Sequence, residues 1–189
     1  TFTPNVLSRV LPDQGPNDLD GTLRNFGLPS TAGPSGFGNA IDFDGSDDFV
    51  DLPTELVSGL SSMTFETWYY HAEARDWQRI LDFGNSTNNY VVLTPSSGAD
   101  GAVMLNLKTQ SNPSSIRVPT SVTLSLNRWY HLAFVVDESG PEVIARVYID
   151  GELVTTQTIA FGFSGSGPFN NLWLGKSAFD NSDLIGKLD

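Results

Sequence analysis

Alternation of apolar and polar residues limits this chain more than any other feature. Val143, Ala145, Val147 and Ile149 fall on one side of an extended segment, and Arg146, Tyr148 and Asp150 on the other. Asp150-Gly151 then supplies the residue pair that a type I′ hairpin turn favours, and Leu153 to Ile159 returns along the first strand. Upstream, Trp129 to Val136 is apolar on both faces, which predicts an inner strand covered on both sides. Asp137-Glu138-Ser139-Gly140-Pro141 is the turn out of it. Further strands are expected at 39–44, 49–52, 63–71, 79–83, 90–93, 102–108, 116–118, 122–126 and 171–175, and 185–189 also reads as a strand. Only Thr54 to Leu60 has helical spacing, through Leu56, Val57 and Leu60, and only for a turn or two. So many short strands separated by turn residues predict an all-β sandwich or barrel rather than a βαβ fold. Leu28 to Gly38, rich in Gly, Pro and Ser, is too short a loop to divide the chain. Residues 1–189 are therefore read as one domain, long enough to bury a core without covalent staples.

The charge balance removes several partner classes. The net charge is -12 and the sequence pI about 4.3, which opposes nucleic-acid binding and docking on anionic lipid. Only six of the 22 acidic residues are Glu. Short Asp side chains suit turns and hard-cation sites, or serve general solubility. With no cysteine, disulfides and thiolate metal sites are excluded. No apolar run approaches the roughly 20 residues of a membrane helix. The sequence opens with neither a signal peptide nor an initiator Met, so an excised domain or mature fragment is expected.

Several segments, in order, resemble one family. Asp13 to Leu23 is similar to a D-x-S-G-N-x-N-x-G-T-L opening, and Gly36 to Val50 to a G-F-G-x-A-L-x-F-D-G-x-D-D-Y-V motif. Met63 to Tyr69 matches F-T-I-x-A-W-V, Arg128 to Ala133 matches W-H-H-V-A, and Val147 to Gly151 matches L-Y-V-D-G. Gly186-Lys187-Leu188-Asp189 fits the start of G-x-I-D-E-V-R-I-Y. Together these resemble the laminin-G-like, concanavalin A-like lectin-glucanase jelly-roll domains. The resemblance implies a two-sheet antiparallel β-sandwich. It implies a secreted or cell-surface setting, as a monomeric binding or adhesion module of a larger protein, often for glycans and often with one calcium ion.

The residues narrow the chemistry. Glycosidases of related fold carry two catalytic carboxyls on one strand, as E-x-D-x-x-E or similar. Here Glu66 is followed on its own face by Trp68 and Tyr70, so Glu66 is expected to be a partly buried, hydrogen-bonded strand residue. His131, inside a strand motif, is expected to be a core histidine, and His71 to end a strand without a partner. Neither a Ser-His-Asp triad nor a zinc site is indicated. Asp42 to Asp48 lacks the glycine position and closing Glu of an EF-hand. It is expected to form a hairpin turn at Asp44-Gly45, with Ile41 and Phe43 inward and Asp42 and Asp44 outward. Asn85-Ser86-Thr87 is a glycosylation sequon of low specificity.

Two sites are expected. For glycans, Trp77, Arg79, Asp82, Asn85, Asn88 and Asn89, with Asp76 and Tyr90, gather an aromatic ring and polar groups in one hairpin region. Asp180, Asn181 and Asp183 add a second loop. The opposing reading is that Trp77 packs inside and the Asn-rich stretch is only a turn. For calcium, the family resemblance points to Asp13, Asn17 and Asp18, with Asp189 and the Gly45 carbonyl. The expected function is a non-catalytic, calcium-stabilised binding module for carbohydrate or adhesion. The alternatives are a polysaccharide hydrolase or lyase on the same fold, using distant acids such as Asp82, and a structural or protein-adhesion spacer.

Overall fold

The computed structural model describes residues 9–28, 30–98, 100–112, 114–180 and 183–189. Among them fifteen strands run in chain order: β1 (Val10–Leu11), β2 (Gly21–Arg24), β3 (Ser30–Ala32), β4 (Asn39–Asp44), β5 (Phe49–Asp51), β6 (Met63–His71), β7 (Leu81–Ser86), β8 (Asn89–Thr94), β9 (Ala102–Lys108), β10 (Ile116–Thr123), β11 (Arg128–Asp137), β12 (Val143–Ile149), β13 (Glu152–Ile159), β14 (Asn171–Leu174) and β15 (Ile185–Leu188). A 3-10 turn at Thr54–Val57 and a helical turn, α1 (Phe163–Ser166), complete the elements. They form two antiparallel sheets. One has eight strands ordered β1-β2-β5-β14-β7-β8-β9-β10, and the other seven, ordered β13-β12-β11-β6-β15-β4-β3. The expected all-β sandwich is therefore the fold, with non-consecutive neighbours such as β5-β14 and β6-β15 making it a jelly roll.

Alternation decides which face each residue takes. Leu23, Val50, Leu174, Leu81, Leu93, Leu105 and Val118 lie in one register across the eight-stranded sheet and point into the sandwich. Tyr69, Tyr130, Leu132, Phe134, Val147 and Ile149 answer from the seven-stranded sheet. At the β12–β13 hairpin Asp150 and Gly151 both take positive φ, 52° and 81°, as a type I′ turn demands.

The structure corrects four local expectations. Asp44-Gly45 is not a hairpin, because β4 pairs with β3 and β15 while β5 pairs with β2 and β14 in the other sheet. The turn is a crossover, held by the Asp44 N–H donating to the Asp48 carboxylate at 3.2 Å and by Arg75 donating to the Gly45 carbonyl at 3.0 Å. Strand β11 is internal to its sheet, yet its outward residues Trp129, His131 and Val135 are only half-buried. The two histidines exchange roles. His71 is the core histidine, 1 % exposed, with Nδ1 2.9 Å from the Tyr69 hydroxyl, and burial lowers its pKa. His131 faces outward. Glu66 is likewise outward, its side chain 69 % exposed.

Candidate functional site

The sheets' outer faces differ in what covers them. On the eight-stranded sheet Asp82, Val92, Asn106 and Arg117 form one outward row across β7 to β10. Two loops lie over it. Arg79 sits 5.8 Å from the Trp77 ring and 5.5 Å from the Phe179 ring, Phe179 packs edge-on against Tyr90, and the Ala178 N–H donates to Asp82 at 2.8 Å. Arg79, Asp82 and Asn89 are consequently buried, at 4 %, 0 % and 3 % exposure. Burial raises the Asp82 carboxyl and lowers the Arg79 guanidinium, and the charge of each partly offsets the effect on the other.

The hairpin residues expected to bind glycan are thus partly brought together, but under cover. Trp77 is half-buried, its indole lying against Gly98. Asn85 donates to the Pro168 carbonyl at 3.1 Å, and exposed Asn88 accepts from Lys108 at 3.0 Å. Exposed Asp76 and buried Tyr90 flank this group, and the second loop places Asp180 and Asp183 at half-buried or exposed positions. Asn181 lies outside the described residues.

The five calcium candidates do not converge. Asp13 braces its own turn, accepting the Gly15 N–H at 2.7 Å and the Leu19 N–H at 3.0 Å, which holds its carboxyl below the usual value. Asn17 and Asp18 are exposed in that turn. Gly45 abuts Ile185 at the start of β15, whereas Asp189 follows its end and pairs with Trp68. Four residues of strand separate the two by about 13 Å, while one calcium shell needs its oxygens within about 5 Å of each other. The Gly45 carbonyl, moreover, already faces the Arg75 cation. These five residues do not fit one calcium ion.

Among the described residues, the outer face of the seven-stranded sheet is the more open one, and it is aromatic. Three outward rows follow from the register. One is Asp42, Lys187, Tyr70 and Trp129; the next is Asp189, Trp68 and His131; the third is Glu66, Ala133 and Tyr148. Cross-strand neighbours of this kind touch. Trp68 and His131 meet edge to face at 5.3 Å, and Tyr70 and Trp129 at 5.4 Å. Phe37, 53 % exposed, leans over Trp68 at 5.1 Å from the loop before β4.

Beside these rings are two open depressions. One of about 580 Å³ is bounded by Phe37, Trp68, Trp129, His131, Arg128 and Asp150. The other, about 300 Å³, is bounded by Phe37, Trp68, His131, Glu66, Thr67 and Asp189. Glu66 stands 3.7 Å from His131 Nε2. Asp189 lies against Gly33, and desolvation there raises its carboxyl. Asp150 accepts the His131 N–H at 2.9 Å and the Arg128 guanidinium at 2.5 Å, fixing the rim. The arrangement offers ring faces beside carboxylate acceptors, which suits a flat polyhydroxylated ligand. A third depression, about 530 Å³ between Thr54–Ser61 and Phe163–Phe169, has no tryptophan in its lining.

Sequence reasoning passed over this face because it read double-sided apolarity as double-sided burial. The signal was present: Trp68, Tyr70, Trp129 and His131 occupy outward positions on neighbouring strands.

The family profile of the concanavalin A-like lectin/glucanases superfamily matches residues 44–189. No curated protein sequence matches the chain. Among solved structures, domain 4 of AbnA, a GH43 extracellular arabinanase from Geobacillus stearothermophilus in complex with arabinotriose, is similar with TM-score 0.72 at 22% identity, over 92% of this chain and 81% of that one. The Ruminococcus gnavus IT-sialidase CBM40 bound to alpha2,3 sialyllactose is similar with TM-score 0.64 at 17% identity, over 79% and 88%. A leech intramolecular trans-sialidase is similar with TM-score 0.60 at 16% identity, over 79% of this chain but 24% of that one. At these identities the likeness is one of fold.

Proposed function

The chain belongs to the concanavalin A-like lectin/glucanase superfamily, and from that premise we propose that it is a non-catalytic carbohydrate-binding module. Its ligand lies along the outer face of the seven-stranded sheet, across Trp68, Trp129 and Phe37. The observation that carries this reading is the half-buried pair of indoles on adjacent strands, beside open depressions edged by Glu66, Asp150 and Asp189. Sugar rings stack their C–H faces on indole, and their hydroxyls donate to carboxylates.

The relatives in complex with arabinotriose and with sialyllactose support a glycan as the ligand class, and the extracellular arabinanase supports a secreted or surface setting. The proposed module is monomeric and acts within a larger protein. Nucleic acid is not among its proposed partners, given the charge of -12. No helix among the described residues is long and apolar enough to cross a membrane.

Affinity electrophoresis in polysaccharide-containing gels tests the reading. The wild-type protein is retarded by at least one polysaccharide, and Trp68→Ala and Trp129→Ala each weaken retardation by roughly 1–3 kcal/mol of affinity, as loss of a central aromatic anchor does. Retardation unchanged in both variants would remove the site from this face.

A further inference from the structure

Resting on the glycan-binding reading of the aromatic face, we infer that its ligand is an uncharged glycan and that the face discriminates against acidic ones. The inference comes from the charges around the rings. Among the described residues, each Lys and Arg on this face is paired with an acid of the same face. Arg128 meets Asp150 at 2.5 Å, Arg146 meets Asp137 at 3.4 Å, and Lys187 meets Asp42 at 3.6 Å while donating to Thr31 at 2.8 Å. A sugar carboxylate is recognised by a guanidinium or ammonium free to turn toward it. Here each such group is held by a partner that offsets its charge.

Two further acids, Glu66 and Asp189, border the same depression as Trp68 and Phe37. Asp189 is the direct cross-strand neighbour of Trp68, and Glu66 precedes Trp68 by two residues on the same face. A ring stacked on Trp68 therefore has a carboxylate on two sides. Carboxylates only accept hydrogen bonds. Hydroxyl groups satisfy them, whereas a second carboxylate is repelled. Two like charges about 5 Å from a bound sugar carboxylate disfavour it by roughly 15-fold in dilute salt, and by about 5-fold at physiological ionic strength. The chain's overall charge of -12 acts in the same direction at longer range.

The test uses matched pairs of probes: lactose with sialyllactose, and galactan with polygalacturonate, joined by arabinotriose and a panel of neutral polysaccharides. Binding is measured for wild type, Glu66→Gln and Trp68→Ala, at 20 mM and at 150 mM salt. The inference expects a neutral probe to bind best, with little salt dependence. Glu66→Gln, which keeps an acceptor oxygen and removes the charge, raises the ratio of acidic to neutral binding several-fold at low salt. An acidic probe that binds at least as tightly as its neutral partner, and is lost in Trp68→Ala, would overturn the inference and leave the glycan site standing. Neutral binding indifferent to Trp68→Ala would overturn the site itself, and the inference with it.

Discussion

Asp48→Asn turns a feature of the fold into a sign that can be measured. Asp48 is 6 % exposed at the crossover between the sheets, where its carboxylate accepts the Asp44 N–H. Desolvation, helped by the nearby Asp44, Asp47 and Asp42 charges, pushes its carboxyl from 3.8 up to about 6. The folded chain therefore keeps a proton that the unfolded chain releases between about pH 4 and pH 6. With the folded pKa raised, the group favours the folded state at low pH, and that advantage disappears as pH rises through about 6. A shift of about two units at about 1.4 kcal/mol each sets a ceiling near 3 kcal/mol. Asp44 and Asp47 are exposed, so solvent screens their part, and about 1–3 kcal/mol is expected.

Asparagine keeps an oxygen for the Asp44 N–H and carries no charge to desolvate. Asp48→Asn should therefore gain on the wild type as pH rises from 4.5 to 8, ending about 1–3 kcal/mol ahead, or roughly 2–12 °C in Tm. His71 opposes this trend in the wild type. Its lowered pKa keeps it neutral when folded, so its contribution is lost as pH falls below about 6.5, where the unfolded chain takes up the proton. The difference between variant and wild type cancels His71, which makes the difference curve the readout. Urea denaturation across this pH range, followed by tryptophan fluorescence, supplies it. A difference curve flat from pH 4.5 to 8 would refute the reasoning. Running it in calcium and in chelator, at matched ionic strength, tests for a cation at the crossover, apart from the five residues expected to hold calcium. An ion held by the Asp44, Asp47 and Asp48 carboxylates, whose oxygens lie within 4.8 Å of one another, would favour the ionised form and make Asp48→Asn destabilising in calcium alone.

Three further outcomes are expected. Asp82→Ala should cost about 1–3 kcal/mol in the same denaturation assay, because the Ala178 N–H loses its acceptor in a buried site; a stability equal to wild type would contradict this. Tyr69→Phe should cost about 1–3 kcal/mol, since the His71 Nδ1 loses its partner in a site with no access to water, and an unchanged midpoint would count against it. Gly84→Ala and Gly151→Ala should differ in kind. At Gly84 a new Cβ would meet the Asn89 carbonyl at 2.6 Å and force β7 from β8, whereas at Gly151 nothing lies within 4 Å and only the positive φ of 81° costs, about 1 kcal/mol. Equal losses at both would show that the close approach at Gly84 is relieved.

The sandwich was legible because alternation is local. Val143 to Ile149 states which residues face inward without reference to any partner, and Asp150-Gly151 closes the hairpin by its own backbone preference. What alternation leaves open is pairing at a distance. The Asp44-Gly45 turn has the composition of a hairpin, and only the positions of β15 and β14, more than a hundred residues downstream, reveal a crossover. The cover over part of the hairpin expected to bind glycan was illegible for the same reason. Trp77 to Asn89 gathers a ring and polar groups within a short stretch, but Phe179 and Ala178 arrive from far along the chain to cover them. Trp68 and Trp129 are remote in sequence and adjacent in space through β6 and β11, where they border an open depression. Whether an apolar strand face is core or platform depends on what covers it, which periodicity does not encode.

The four tryptophans divide evenly between the two outer faces, which makes one measurement decisive. Trp68 and Trp129 lie on the seven-stranded sheet, and Trp77 and Trp173 on the side of the eight-stranded one. Their indole N–H resonances are resolvable in a 20.5 kDa chain labelled with nitrogen-15. The chain is titrated with the neutral oligosaccharide that binds best in the panel above. The Trp68 and Trp129 resonances should then shift together and saturate with a single dissociation constant, while those of Trp77 and Trp173 stay in place. Movement of Trp77 or Trp173, with Trp68 and Trp129 unmoved, would contradict the account and place the glycan on the opposite face.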